Sequence, residues 1–164
     1  MNIAENKEYR KKNFIQNHLS FCPNADESVL TFIADFLNHG VPGISLADSN
    51  ESIRRTFRAG YCYYFAVMLK TAFERGEVCW AAPFGHIVWV DDNNIPYDIE
   101  GVYESEYEYL IPVSYLGESL NDFKHIANLS FNASKEFLDS IVERYLKDTK
   151  QASITTSKTS AMSL

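Results

Sequence analysis

Residues 62 to 75, CYYFAVMLKTAFER, constrain the architecture most: Phe65, Ala66, Leu69, Ala72 and Phe73 fall on one broad stripe at helical spacing, and no charge appears before Lys70. A helix this apolar has to be covered on most sides, so it belongs near the centre of the fold. Gly76 is expected to end it. Val78–Ala82 and His86–Asp91 follow as short runs rich in Val, Ile and Trp, and Asp91-Asp92-Asn93-Asn94 signals a tight turn before Ile95–Ile99. Short strands closed by tight turns predict an antiparallel meander, which gives the central helix a sheet to pack on.

The flanking sequence adds helices on both sides. Residues 5 to 19 predict a peripheral helix carrying Phe14, Ile15 and Leu19. A stronger one runs from Asp26, a capping residue, to Gly40, with Val29, Leu30, Ile33, Phe36 and Leu37 facing the core. Val41–Asp48 reads as a loop, and Ser49–Arg58 as a short helix with Ile53 and Phe57 inward and Arg54, Arg55 and Arg58 outward. Tyr103–Tyr109 alternates Tyr or Ser with Glu, which predicts a half-exposed strand running on past Pro112. Residues 117 to 127 carry no clear pattern, whereas Asn132–Lys147 predicts an amphipathic helix. From residue 149 to 164 the chain is rich in Ser, Thr and Lys, so a disordered tail is expected there. The expected organisation is one α+β domain over residues 1–148: N-terminal helices, a central cysteine-bearing helix on a small antiparallel sheet, and a C-terminal helix.

Composition narrows the function. With 164 residues, 46% of them hydrophobic, the chain can bury one proper core. Lys+Arg 15 against Asp+Glu 22 gives a net charge of -7 and no dense basic patch, so neither nucleic acid nor a membrane surface is an expected partner. Residues 1 to 12 contain no apolar signal core, and no run is long enough to span a bilayer. Three irregularly spaced cysteines do not form a disulfide framework. A cytoplasmic location is expected, with delivery to a host cell by another route left open.

Three residues in chain order supply the parts of a thiol catalyst: Cys62 opening the apolar helix, His86 opening a strand and Asp98 in the next strand. A thiol with its ordinary pKa of about 8.5 is mostly protonated at neutral pH, and a helix N-terminus favours the anion. A histidine can hold the thiol's proton while a carboxylate fixes the imidazole's orientation. If the turn at 91–94 closes a hairpin, His86 comes within a residue or two of Asp98. The two share a face only in an even register, which predicts a three- or five-residue loop or a bulge; a regular two-residue turn would count against Asp98.

Each residue also has a plainer reading. Cys62 could be a core cysteine, His86 a polar strand-edge residue, and Asp98 with Glu100 ordinary turn polarity. Cys79 lies inside an apolar strand beside Trp80 and is expected in the core, while Cys22 precedes Pro23 in a turn. A metal site built from Cys62, Cys79 and His86 lacks any short ligand pair, and there is no Gly-rich phosphate loop, so no metal or other cofactor is expected. His18, His39 and His125 are expected at the surface.

Gly60-Tyr61-Cys62 leading into Phe65-Ala66 and a helix, Gly85-His86 leading a strand, and Tyr97-Asp98-Ile99-Glu100-Gly101 together resemble the papain-like thiol superfamily. The likeness is to its small bacterial and phage branches of cysteine peptidases, amidases and protein-glutamine deamidases, and it covers about residues 58 to 102. It implies a papain-like core, Cys62 as nucleophile, His86 as general base and acid, Asp98 as orienter, and a protein, peptide or other amide substrate. The family often adds an oxyanion-stabilising Gln before the cysteine, but residues 49 to 61 contain none. Asn50, Arg58 or the Cys62 N–H would have to serve. Two functions follow: a thiol hydrolase or acyl-transfer enzyme, or an inactive papain-like scaffold acting as a protein-binding inhibitor or effector module, with the tyrosines around 97 to 115 as its contact surface.

Overall fold

The computed structural model describes residues 2–39, 50–58, 61–82, 86–104, 109–116, 136 and 138–149. The expected loop at 41–48, the unpatterned 117–127, the start of the C-terminal helix, the tail and His125 lie outside them. Within the described residues the chain is α+β, with its helices packed on a five-stranded antiparallel sheet.

Helix α1 spans Ile3–Phe21, longer than its apolar pattern alone predicts, because Asn2 and Glu5 form a reciprocal capping box at its start. Phe14, Ile15 and Leu19 pack against the core. Helix α2 spans Glu27–His39 and buries Val29, Leu30, Ile33 and Leu37. Asp26 caps it, its carboxylate accepting from the Ser28 amide at 2.9 Å. Helix α3 (Asn50–Arg58) buries Ile53 and Phe57, and α4 (Cys62–Phe73) buries Cys62, Phe65, Ala66 and Leu69. The end of α4 comes earlier than Gly76. Glu74 takes up the left-handed conformation at φ 53, and its N–H closes the last turn on the Lys70 carbonyl.

The strands are β1 (Glu77–Ala82), β2 (His86–Val90), β3 (Pro96–Asp98), β4 (Gly101–Val102) and β5 (Tyr109–Pro112), in the spatial order β4-β3-β2-β1-β5. The first three form the expected meander, and β4, a two-residue strand not expected from the sequence, extends it. The strand expected over 103–109 is not observed at its start: Tyr103 and Glu104 are not in a strand, and pairing resumes at Tyr109. β4 and β5 lie at opposite edges of the sheet, and residues 105–108 lie outside the described ones.

Alternation sorts the sheet into two faces. Trp80, Ile87, Trp89, Tyr97 and Ile111 join the main core with the helices, where Leu138 and Ile141 of the C-terminal helix α5 (138–149) also enter. Complete burial of side chains as large as Trp80, Trp89, Tyr97 and Phe65 stabilises the fold by about 1.5–3 kcal/mol each. The other face carries a smaller cluster of Cys79, Val88 and Val90 against Tyr103 and Leu110. Tyr97 links the layers, since its hydroxyl accepts from the Asp26 N–H at 2.9 Å and donates to Asp91 Oδ2 at 3.1 Å.

Candidate active site

Element lengths bring the cysteine and the histidine together. The 12 residues of α4 climb about 18 Å and the 6 residues of β1 return about 20 Å, so the chain comes back to the level of Cys62 just before His86 opens β2. Cys62 occupies the first helical position, where the backbone N–H has no carbonyl within the helix to donate to.

The hairpin between β2 and β3 decides whether Asp98 can join them. Trp89 pairs with Tyr97 and Val90 with Pro96, an even register. Asp91 N–H donates to the Ile95 carbonyl at 3.0 Å, leaving Asp92, Asn93 and Asn94 as a three-residue loop whose last member is left-handed at φ 62. The Asp91 carboxylate holds the loop from inside, accepting from the Asn93 and Ile95 amides at 2.9 Å each. His86 and Asp98 therefore share a face as diagonal neighbours, and His86 Nε2 donates to Asp98 Oδ2 at 2.8 Å. Asp98 Oδ1 accepts from the Glu100 N–H at 2.7 Å, which fixes the carboxylate plane.

By strand parity His86 points to the face of Cys79 and Val88, but it is the first residue of β2, and its ring at the end of the sheet lies near enough to the Cys62 thiol for the two to interact. With Nε2 engaged by Asp98, Nδ1 is the nitrogen left for the sulfur. Burial alone would lower the imidazole's pKa; the hydrogen bond it donates to Asp98 and then the nearby Cys62 thiol, with their charges, outweigh it and raise it to about 9. The Tyr103 ring lies 5.0 Å from the imidazole. Cys62 is 4% exposed and the His86 side chain 16%, so the contact is screened from bulk water.

Cys79 is the core residue expected from its strand: it is buried, and burial followed by the nearby charge of Glu77 pushes its thiol up to about 12. Cys22 is half-buried at the C-terminus of α1, and His39 is exposed. No cluster of metal-ligating side chains is found among the described residues. Of the alternative oxyanion donors, the Asn50 side chain lies outside the described ones. Arg58 faces Glu51 at 3.7 Å and Glu100 at 3.5 Å.

Three residues near the site were not singled out by sequence. Arg54, expected to point outward, is half-buried and pairs with Glu100 at 2.5 Å. Glu100 collects two of the three arginines of α3, Arg54 and Arg58, a role that only the Asp98-x-Glu100 spacing hints at. His18, expected at the surface, is half-buried, and its Nε2 lies 2.9 Å from the Glu100 carbonyl.

Fold and site together define an α+β protein with a thiol, an imidazole and a carboxylate gathered where the central helix begins. Comparison with known proteins gives its family: the phage YunG-like protein family matches residues 44–147, and the chain belongs to it. No curated protein and no solved structure matches.

Proposed function

We propose that this chain is a thiol hydrolase or acyl-transfer enzyme of papain-like type, acting on an amide or thioester carbonyl of a protein or peptide. The observation that carries the reading is the position of His86, between the Asp98 carboxylate at 2.8 Å and the Cys62 thiol. What sets His86 apart is the kind of partner: a carboxylate that can orient and charge-stabilise the ring on one side, and a nucleophilic thiol on the other.

With its pKa raised to about 9, His86 is an imidazolium at neutral pH, a cation beside the sulfur at the start of α4. The Cys62 sulfur attacks the carbonyl carbon, and the charge that develops on oxygen meets the Cys62 N–H. As the C–N or C–S bond of the substrate breaks, His86 Nδ1–H gives its proton to the leaving group. The acyl group stays on sulfur as a thioester. Water, or another nucleophile, then attacks that thioester while Nδ1 takes its proton, and release of the product restores thiolate and imidazolium. Asp98 keeps the Nε2–H in place throughout and stabilises the positive ring.

Peptide cleavage, side-chain deamidation and acyl transfer share these steps. A reducing cytoplasm suits the reading, because Cys22, Cys62 and Cys79 are all free thiols. No helix among the described residues is long and apolar enough to cross a membrane.

p-Nitrophenyl acetate, a general acyl donor, tests the mechanism. The expected result is a burst of one equivalent of nitrophenolate with an acetyl group on Cys62, lost in Cys62→Ser and slowed about 100-fold or more in His86→Ala. Acetylation that is not confined to Cys62, or a burst unchanged by His86→Ala, contradicts it and favours the protein-binding scaffold.

A further inference from the structure

The turn from Asp98 to Gly101 is held from outside the sheet, and one of its holders lies in α1. His18 Nε2 lies 2.9 Å from the Glu100 carbonyl, and Nδ1 lies 2.7 Å from the Phe14 carbonyl one helical turn back. Both are acceptors, so a neutral ring donates to one of them at a time, and the tautomer with its proton on Nε2 donates to Glu100. Phe14 and Phe21 flank the ring at 4.3 and 5.3 Å and limit its rotation. The imidazole also fills the space beside Gly101: a Cβ there would come within 2.1 Å of Nε2, and the φ of +104 already disfavours a side chain.

Glu100 is thereby held through its carbonyl, its N–H and one carboxylate oxygen, while Oε1 makes no hydrogen bond and faces Arg58 at 3.5 Å. Its carbonyl is held by His18, its N–H by Asp98 Oδ1 at 2.7 Å, and its Oε2 by Arg54. Of these contacts, the N–H bond sets the plane of the Asp98 carboxylate and hence the aim of Oδ2 at His86. Holding the Glu100 carbonyl fixes the backbone that carries this N–H.

We propose that His18 is a positioning residue for the site: its Nε2–H, by locking the Glu100 backbone, keeps Asp98 aimed at His86. The inference rests on the reading of His86 as the base that serves Cys62. It also extends the working site beyond residues 44–147, into a helix that the family match does not include.

Two replacements of His18 in the full-length chain separate aim from bulk. The amide nitrogen of Gln can stand where Nε2 stands, toward Glu100, whereas that of Asn can stand only where Nδ1 stands, toward Phe14. The readout is the titration midpoint of the His86 ring by 15N NMR, expected near 9 in the wild type. His18→Gln should keep that midpoint, and His18→Asn should lower it by about 1 pH unit or more as Asp98 loses its aim. Leu19→Ala, which loosens α1 without touching Glu100, should leave it in place. Equal midpoints for Gln and Asn, or an equal fall in Leu19→Ala, overturn the proposal. A His18→Asn chain that fails to fold while His18→Gln folds overturns it too, since the bond would then serve folding and not aim. A wild-type midpoint near the ordinary 6.5 would instead refute the reading of His86 itself.

Discussion

His86 couples the chemistry of the site to the stability of the fold. Its pKa is raised in the folded chain, so the ion pair stabilises the protein fully below about 6.5, the ordinary value, and that contribution is lost as pH rises through about 9. The pH-dependent part amounts to roughly 3 kcal/mol at most. Urea unfolding of wild type and His86→Ala across this range should therefore show a stability gap that narrows toward alkaline pH. A gap constant with pH would mean that the imidazole carries no extra proton affinity in the folded state. At this scale the sequence pointed to Cys62 and His86, because a cysteine opening an apolar helix and a histidine opening a strand are local patterns. It did not reveal His18, whose partner Glu100 lies 82 positions away, nor the inward turn of Arg54 toward the same residue. No periodicity within one helix encodes a partner on another element.

The β2–β3 hairpin is the element on which the carboxylate's role depends. Its three-residue loop gives the even register that puts Asp98 on the face of His86, as the spacing of the two residues required. Asp91 is the internal brace of that loop, 5% exposed and accepting from two backbone amides and the Tyr97 hydroxyl. Asp91→Ala leaves those donors without an acceptor and should cost about 2–4 kcal/mol in chemical denaturation, while also slowing reaction at Cys62 as the register loosens. A loss below about 0.5 kcal/mol would show that the loop is held by its backbone alone. The meander and the central helix were legible from apolar period and turn residues. The fate of residues 103 to 109 was not: aromatic alternation marks strand-forming sequence, but it says nothing about which edge of the sheet that strand joins. Here the described strand is β5, Tyr109–Pro112, at the far edge.

Across the whole molecule, core and site share their supports. The residues matched by the family, 44–147, contain the sheet and the cysteine helix, but the core is completed by Val29, Leu30, Ile33 and Leu37 of α2, and the turn beside Asp98 is gripped from α1. The two N-terminal helices thus pack into the same core as the site. The central claim is that Cys62 is an activated thiol whose reactivity is controlled by His86. Iodoacetamide labelling at neutral pH, mapped by mass spectrometry, tests it most directly, with Cys79, buried and held up at about 12, as an internal unreactive thiol. The account predicts alkylation at Cys62 faster than that of a free thiol, slowed about tenfold or more by His86→Ala. Labelling of Cys62 no faster than a free thiol, or unchanged when His86 is removed, would contradict it.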